Sequence, residues 1–387
     1  MRTTVSTYQM LTGDDGAPVQ LLSPDGQRRP HERYDRLLAD LDSDDSNALL
    51  ALYGDMIVTR RIDAEGTALQ RQGQLALWPP FLGQEAAQVG SAHAINRDDF
   101  IFASYREIAV AYVRGIALPD LMKQWRGTQN AGWNPFESNM APTQVVIGAQ
   151  PLHAVGYAMG VQFDGAESAV ITYFGDGATS QGDVNESMVF AASFQAPVVF
   201  FCQNNHWAIS EPVGIQAHVP IGLRAPGFGI PSVRVDGNDI LACLAVTREA
   251  LEHARAGHGP SYIEAVTYRM GAHTTADDPT RYRDANELED WKGRDPIARF
   301  EAYLTGAGIL DDAGRSQVAE KADAVAAAIR EATIHMPDPE PEELFEHVYA
   351  GPHAVLERQR DHFERYRAGF AEHSNHAPHA ALTEGGH

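Results

Sequence analysis

The stretch "ITYFGDGATSQGDVNES" (171–187) sets an apolar, β-branched run against an abrupt Gly-Asp-Gly turn. Such a run reads as a strand buried on both faces, and the two glycines place one carboxylate, Asp176, just past its carboxyl end. A helix follows from about Val184 to Phe194, and "PVVFFCQNN" (197–205) gives a second strand. The chain from Gly177 to Asn204 is one β-α-β crossover in length, so two parallel neighbours bring Asp176 and Asn205 to the same sheet edge. One charged and one neutral oxygen ligand suit a hard divalent cation such as Mg²⁺, with phosphate oxygens completing its octahedron. The glycines admit backbone N–H groups to those phosphates, and the helix beginning after Gly182 adds a partial positive end. A dinucleotide site fits less well, because Gly175, Gly177 and Gly182 do not match G-x-G-x-x-G and no GK[ST] makes a P-loop. GDG alone would be a tight turn; GDG with an asparagine pair at this spacing points to a metal-diphosphate site.

Working outward, "PSVRVDGNDI" (231–240) gives a third strand, "LACLAVTREALEHARAG" (241–257) a helix closed by Gly257, and "SYIEAVTYRM" (261–270) a fourth strand. Strand and helix alternating at this spacing predict an α/β fold, a central mostly parallel sheet flanked by helices on both faces. Ligands of such sheets bind beyond the carboxyl ends of the strands. Upstream, Leu49, Leu52, Tyr53, Met56 and Ile57 recur at helical spacing over about 48–72, and "GQEAAQVGSAHAIN" (83–96) is a second helix of small residues. The chain divides into a polar arm laid over the surface (1–45), an α/β domain (46–335), and a helical segment with a frayed His-rich tail (336–387) that opens on "MPDPEPEE".

Composition narrows the function. Thirty Lys and Arg against 52 Asp and Glu leave a formal net charge of −22 over 387 residues, which repels a nucleic-acid backbone. No run approaches the ~20 apolar residues of a membrane span, and the amino terminus lacks a secretory signal. Cys202 and Cys243 lack disulfide or metal-ligand spacing and read as buried thiols. The expectation is a soluble cytoplasmic protein with no nucleic-acid or membrane partner.

The segment from GDG to NN resembles the thiamine-diphosphate motif. With "GQEAAQVGSA", "SYRE", "IGAQPLHAVG", "RVDGNDILA" and "EAVTYRMGAHTTADDPTRYR", the chain from about Leu52 to Leu310 resembles the α subunit of the dehydrogenase component of 2-oxo acid dehydrogenase complexes. That resemblance implies the thiamine-diphosphate-binding fold, with thiamine diphosphate and Mg²⁺ as cofactors. It implies that Asp176 and Asn205 ligate Mg²⁺ by side chain and Trp207 by its carbonyl. Gly175, Gly177 and Ala178 then lie along the diphosphate with Gln203 nearby, and Tyr105 and Arg106 reach it. Val145 and Ile147 grip the aminopyrimidine. His273 is the active-site histidine, stabilising and protonating intermediates and helping acyl transfer. In mitochondrial relatives its loop carries phosphorylated serines; here Thr274 follows the histidine.

The resemblance also implies a β subunit that supplies the glutamate needed by the aminopyrimidine. The assembly is then a heterotetramer of two α and two β chains, silent without β, that passes its acyl group to a lipoyl-bearing acyltransferase. In pyruvate-type relatives the segment before "GQEA" holds a histidine. Here it reads "LALWPPFLGQEA", so Trp78, Pro79, Phe81 and Gln84 are expected to wall the pocket for the small 2-oxo acid. That favours a branched aliphatic side chain over the methyl group of pyruvate. A catalytically silent interaction subunit and a nucleotide-binding Mg²⁺ protein are the remoter readings.

Overall fold

A computed structural model describes residues 10–13, 16–41, 46–129, 131–346 and 348–374. The described residues fall into two compact units, divided between Met336 and Pro337.

The first unit is built on a six-stranded, all-parallel sheet. Its strands are β1 (Met10–Leu11), β2 (Phe100–Phe102), β3 (Val170–Gly175), β4 (Val198–Asn204), β7 (Ser232–Asp236) and β8 (Ser261–Val266), while β5 (Trp207–Ala208) and β6 (Glu211–Pro212) make a separate antiparallel hairpin. The order across the large sheet is β1-β7-β8-β4-β3-β2. Its central strands have no solvent face, which is why "VVFFCQN" is buried throughout. Ile171, Tyr173, Val199 and Phe201 join the core beneath α1 (Asn47–Arg71), α2 (Glu85–Ala92) and the helix Ile240–Arg255. Val170, Phe174, Val198, Phe200 and Cys202 point the other way, against the helices Ala149–Phe163 and Gly182–Phe194. Cys202 and Cys243 are free and buried.

Strand register positions everything that follows. Gly175 pairs with Gln203, so β3 and β4 end level and Asp176 emerges beside Asn205. Asn204 pairs with Val266, and the amide of Arg269 then donates to the carbonyl of Asn205 at 3.2 Å, leading the chain after β8 over the same edge. Phe102 pairs with Thr172 at the other side, so Ser104–Glu107 leave β2 beside the tip of β3.

One expectation is corrected, and two strands are added. The two short edge strands β1 and β2 were not foreseen, because two or three residues carry no readable alternation. The segment read as a surface arm is part of the body where it is described: Val19, Leu21, Leu22, Tyr34, Leu37 and Leu38 are buried in the main core, and Val19 bridges Val235 beyond β1. The polar residues between them hid that burial.

The second unit holds a short turn at Pro341–Leu344 and a helix, Ala354–Ser374, with the rings of Phe345 and Phe363 in contact at 5.7 Å. The His-rich tail from residue 375 lies outside the described residues. Among the described residues, no helix is long and apolar enough to cross a membrane.

Candidate active site

Four adjacent strand tips surround a cavity of about 200 Å³, lined by Tyr105, Arg106, Glu107, Ile147, Gly175–Ala178, Gln203, Asn205, Trp207 and His273 among others. The neighbouring strands that create this edge come from four separate parts of the sequence.

Asp176 sits at its floor, 1% exposed. One carboxylate oxygen accepts from the Asn205 amide and the other from Nε2 of Gln216, each at 3.3 Å, and no salt bridge to it exists among the described residues. Burial pushes its carboxyl up to about 6, because little nearby compensates the charge. An under-served buried carboxylate of this kind is where a cation fits. Asn205 turns its side-chain oxygen toward the backbone N–H of Trp207 at 3.2 Å, an interaction that leaves that oxygen a free lone pair. Gln203 lines the cavity with its Oε1 buried and unpartnered among the described residues. At Gly177 a Cβ would come within 2.8 Å of the Cβ of Ala208, so the backbone there runs against the hairpin with no room for a side chain. No three His, Cys, Asp or Glu side chains cluster as a metal site among the described residues. A hard-cation site of one carboxylate with amide and carbonyl oxygens needs no such cluster.

His273 stands opposite. Its Nδ1 lies 3.1 Å from Nη2 of Arg106 and 3.3 Å from Nη1 of Arg269. Guanidinium nitrogens only donate, so Nδ1 must be the acceptor and the ring proton is on Nε2. Burial and the two arginines press the imidazole down to about 3, and it is neutral at physiological pH. Its backbone amide donates to Asp277 at 2.8 Å, and Asp277 also accepts from the hydroxyl of Tyr282. Nη2 of Arg269 reaches that hydroxyl at 3.0 Å. The loop is further held by Thr275, whose amide donates to the carbonyl of Trp78 while its hydroxyl accepts from the Trp78 amide. The arrangement presents a neutral Nε2–H donor from a braced loop.

Several residues stand differently from expectation. Arg106 lines the cavity, yet its terminal nitrogens are engaged by the carbonyls of Pro80 and His273 and by the His273 ring. Its neighbour Tyr105 covers the guanidinium, 5.2 Å from the ring centroid. The Trp207 carbonyl accepts from Nη1 of Arg269 at 3.1 Å, so a cation there shares it with an arginine. Ile147 lines the cavity; Val145 is not among its lining residues and is 58% exposed.

The expected substrate wall is corrected outright. Trp78 and Phe81 are wholly buried and Pro79 does not line the cavity. Buried Asp63 accepts from Nε1 of Trp78 at 2.7 Å and from the amides of Phe81 and Leu82, which pulls the segment into the body. Gln84 lies one layer behind the cavity, against Gln203 and Asn205.

Glu107 was quoted within "SYRE" but not singled out. It lines the cavity 2% exposed, with Oε2 unpartnered among the described residues and burial pushing its carboxyl up to about 7. Its place next to Arg106 at a strand tip was the available signal. Gln216 had none, since it arrives from beyond the hairpin.

Comparison with known proteins shows the family. The chain is 47% identical over 353 residues to the 3-methyl-2-oxobutanoate dehydrogenase subunit alpha of Mycobacterium tuberculosis, which covers 91% of this chain and 95% of that protein. It is 39% identical over 317 residues to the pyruvate dehydrogenase E1 component subunit alpha of Staphylococcus epidermidis, covering 81% of this chain and 84% of that one. Against the subunit of the same name from Staphylococcus aureus it is 40% identical over 287 residues, covering 73% and 78%. The family described as "Dehydrogenase E1 component" matches residues 53–342, a span that holds every strand tip of the cavity, and the chain belongs to that family.

Proposed function

We propose that this chain is the α subunit of a branched-chain 2-oxo acid dehydrogenase. It decarboxylates 3-methyl-2-oxobutanoate and its relatives oxidatively and passes the acyl group to a lipoyl group on an acyltransferase. It works in the cytoplasm as a heterotetramer with a β subunit. The observation that carries the reading is the meeting of Asp176, Asn205 and His273 around one cavity at adjacent strand tips.

The residues present suit thiamine diphosphate with Mg²⁺. Asp176 and Asn205 would hold the cation, and the backbone at Gly177 and Ala178 would lie along the diphosphate. When bound, thiamine diphosphate supplies the carbon nucleophile and electron sink for decarboxylation. This chain's own contribution is positional and electrostatic. His273 offers Nε2–H to an oxygen of the substrate, and its neutrality makes it a donor and a weak acid rather than a base. Arg106 and Arg269 hold the ring in that tautomer, and Arg283 fixes the loop beneath it by donating to the carbonyls of Arg269, Met270 and Gly271. Glu107, its carboxyl raised by burial to about 7, is present in both protonation states near neutral pH and can hold a proton beside them.

The choice of a branched substrate rests on the 47% relative and not on the Trp78–Phe81 segment, which does not face the cavity. Pyruvate is the alternative, supported by the staphylococcal relatives. The test is co-expression with the β subunit and turnover of 3-methyl-2-oxobutanoate against pyruvate with an artificial electron acceptor. Faster turnover of the branched acid is expected. Preference for pyruvate selects the alternative, and no turnover of any 2-oxo acid rejects both.

A further inference from the structure

Three side-chain amides behind the cavity, those of Gln84, Gln203 and Asn205, form a chain whose polarity can be derived from one backbone group. The N–H of Trp207 can only donate, and it meets the Asn205 side chain at 3.2 Å. The atom facing it must therefore be Oδ1, which leaves Nδ2 of Asn205 facing Gln84 at 3.1 Å. Since Nδ2 donates, the Gln84 atom it meets must be Oε1. That oxygen also lies 2.9 Å from Gln203, whose facing atom must in turn be Nε2. Two ends are then left over, both buried and unpartnered among the described residues: Nε2 of Gln84 in the core, and the oxygen of Gln203, on a residue that lines the cavity. Gln84 is itself 0% exposed and sits at the amino-terminal cap of α2, whose helix holds it rigidly against the tip of β4.

We propose that Gln84 is a positioning residue for the cation site: its one oxygen accepts from both amides, and so turns the oxygen of Gln203 toward the cavity and gives the Asn205 side chain a second anchor beside the Trp207 N–H. Without that acceptor the Gln203 amide has no orienting partner among the described residues and can flip its N–H groups toward the cavity, while Asn205 is left with the Trp207 N–H as the single anchor of its side chain. The chemistry required at position 84 is an acceptor with no hydrogen at that point, and glutamate satisfies it while methionine, of similar length, does not. A residue that orients a metal ligand in this way typically changes metal affinity 10–100-fold when removed.

This inference rests on the cofactor reading above, and its test separates the two. The α chain is co-expressed with its β subunit, thiamine diphosphate is held fixed, and the melting temperature is followed as MgCl₂ is titrated. For the native assembly a saturable rise is expected. In Gln84→Met the half-saturating Mg²⁺ should rise at least about tenfold, while in Gln84→Glu it should stay within about threefold of native.

A native assembly that ignores Mg²⁺ overturns the cofactor reading and this proposal with it. A native response that Gln84→Met leaves unchanged overturns the proposal alone, as does Gln84→Glu behaving like Gln84→Met. If Gln84→Met fails to assemble, Gln84→Glu still decides: a glutamate variant that folds but needs about tenfold more Mg²⁺ overturns the proposal, and one within threefold of native supports it.

Discussion

Two strand tips in the same sheet carry the same Asp-Gly pair, and their surroundings treat the carboxylates in opposite ways. At the end of β7, Asp236 accepts from Nη1 of Arg299 at 2.8 Å, from Nε2 of Gln20 at 2.7 Å and from the Asn238 amide at 2.9 Å. Three residues on, Asp239 accepts from the amides of Leu21 and Leu22, both at 2.6 Å, and from Nη2 of Arg299 at 3.4 Å. Arg299 also donates to the carbonyl of Leu22 and is 2% exposed. At the end of β3, Asp176 is as buried as Asp239 but has two 3.3 Å hydrogen bonds and no arginine pair among the described residues. The first tip is closed upon itself and holds the amino-terminal segment to the body. The second keeps unspent charge beside a cavity. A buried carboxylate whose demands are met by its own chain is structure, and one whose demands are unmet marks a site.

The comparison breaks most readily at its charges. Arg299→Met strands the buried carboxylate of Asp239 and the partly exposed one of Asp236, and should cost about 3–5 kcal/mol, read by denaturant unfolding. Asp176→Asn should leave ligand-free stability within about 1 kcal/mol of native, since burial already disfavours its charge. In the assembly with β, the same variant should reduce turnover of 3-methyl-2-oxobutanoate to background. Comparable destabilisation by both would erase the distinction between the two tips.

His273 sharpens the site's side of it. In the assembly with β, His273→Ala should lower kcat about 10²–10³-fold, the range for removing one hydrogen-bond donor to a developing oxyanion. A loss in KM alone would make it a binding group instead.

The glycines come next. At Gly237 a Cβ would meet the carbonyl oxygen of Val266 at 3.0 Å, and at Gly177 the Cβ of Ala208 at 2.8 Å. Alanine at either position should destabilise by about 1–3 kcal/mol through overpacking. Only Gly177→Ala should also blunt the rise in melting temperature caused by thiamine diphosphate with Mg²⁺. Equal blunting by Gly237→Ala would mean that both tips serve the ligand.

The smallest effect is one of pH. Folded His273 is held down to about 3 from an ordinary 6.5, so the unfolded chain binds more protons between those values. Its contribution to stability is present above 6.5 and is lost as the pH falls toward 3. His273→Gln should therefore lose less stability than native between pH 7 and 5. A steeper acid loss in the variant would place the folded pKa above the unfolded one.

Much of this was legible beforehand, for reasons that differ by residue. Asp176 and Asn205 were readable because a β-α-β crossover converts spacing into adjacency, and the long buried strands β3 and β4 are continuous apolar runs. His273 was readable by resemblance, and by its place past a strand end. Trp78 and Phe81 misled because an apolar segment ahead of a site looks the same whether it lines a pocket or backs one, and buried Asp63 lies too far along the chain to be paired with them by eye. Glu107 was in view without a role, and Gln84 with a different one, in the substrate wall, since burial and hydrogen-bond partners leave no trace in composition.

By itself, then, the sequence determined the α/β class, the parallel order of its long central strands and the pairing of an aspartate with an asparagine at their tips. These follow from local rules: hydrophobic period, turn chemistry and crossover length. Only the tertiary structure decided that Arg299 closes one acidic turn while nothing of the kind closes the other. It alone turned the nitrogens of Asn205 and Gln203 toward Gln84 and put two arginines against Nδ1 of His273. Those outcomes depend on which distant groups share a few ångströms of low-dielectric space, where each donor must find an acceptor, and that accounting exists only once the chain is folded.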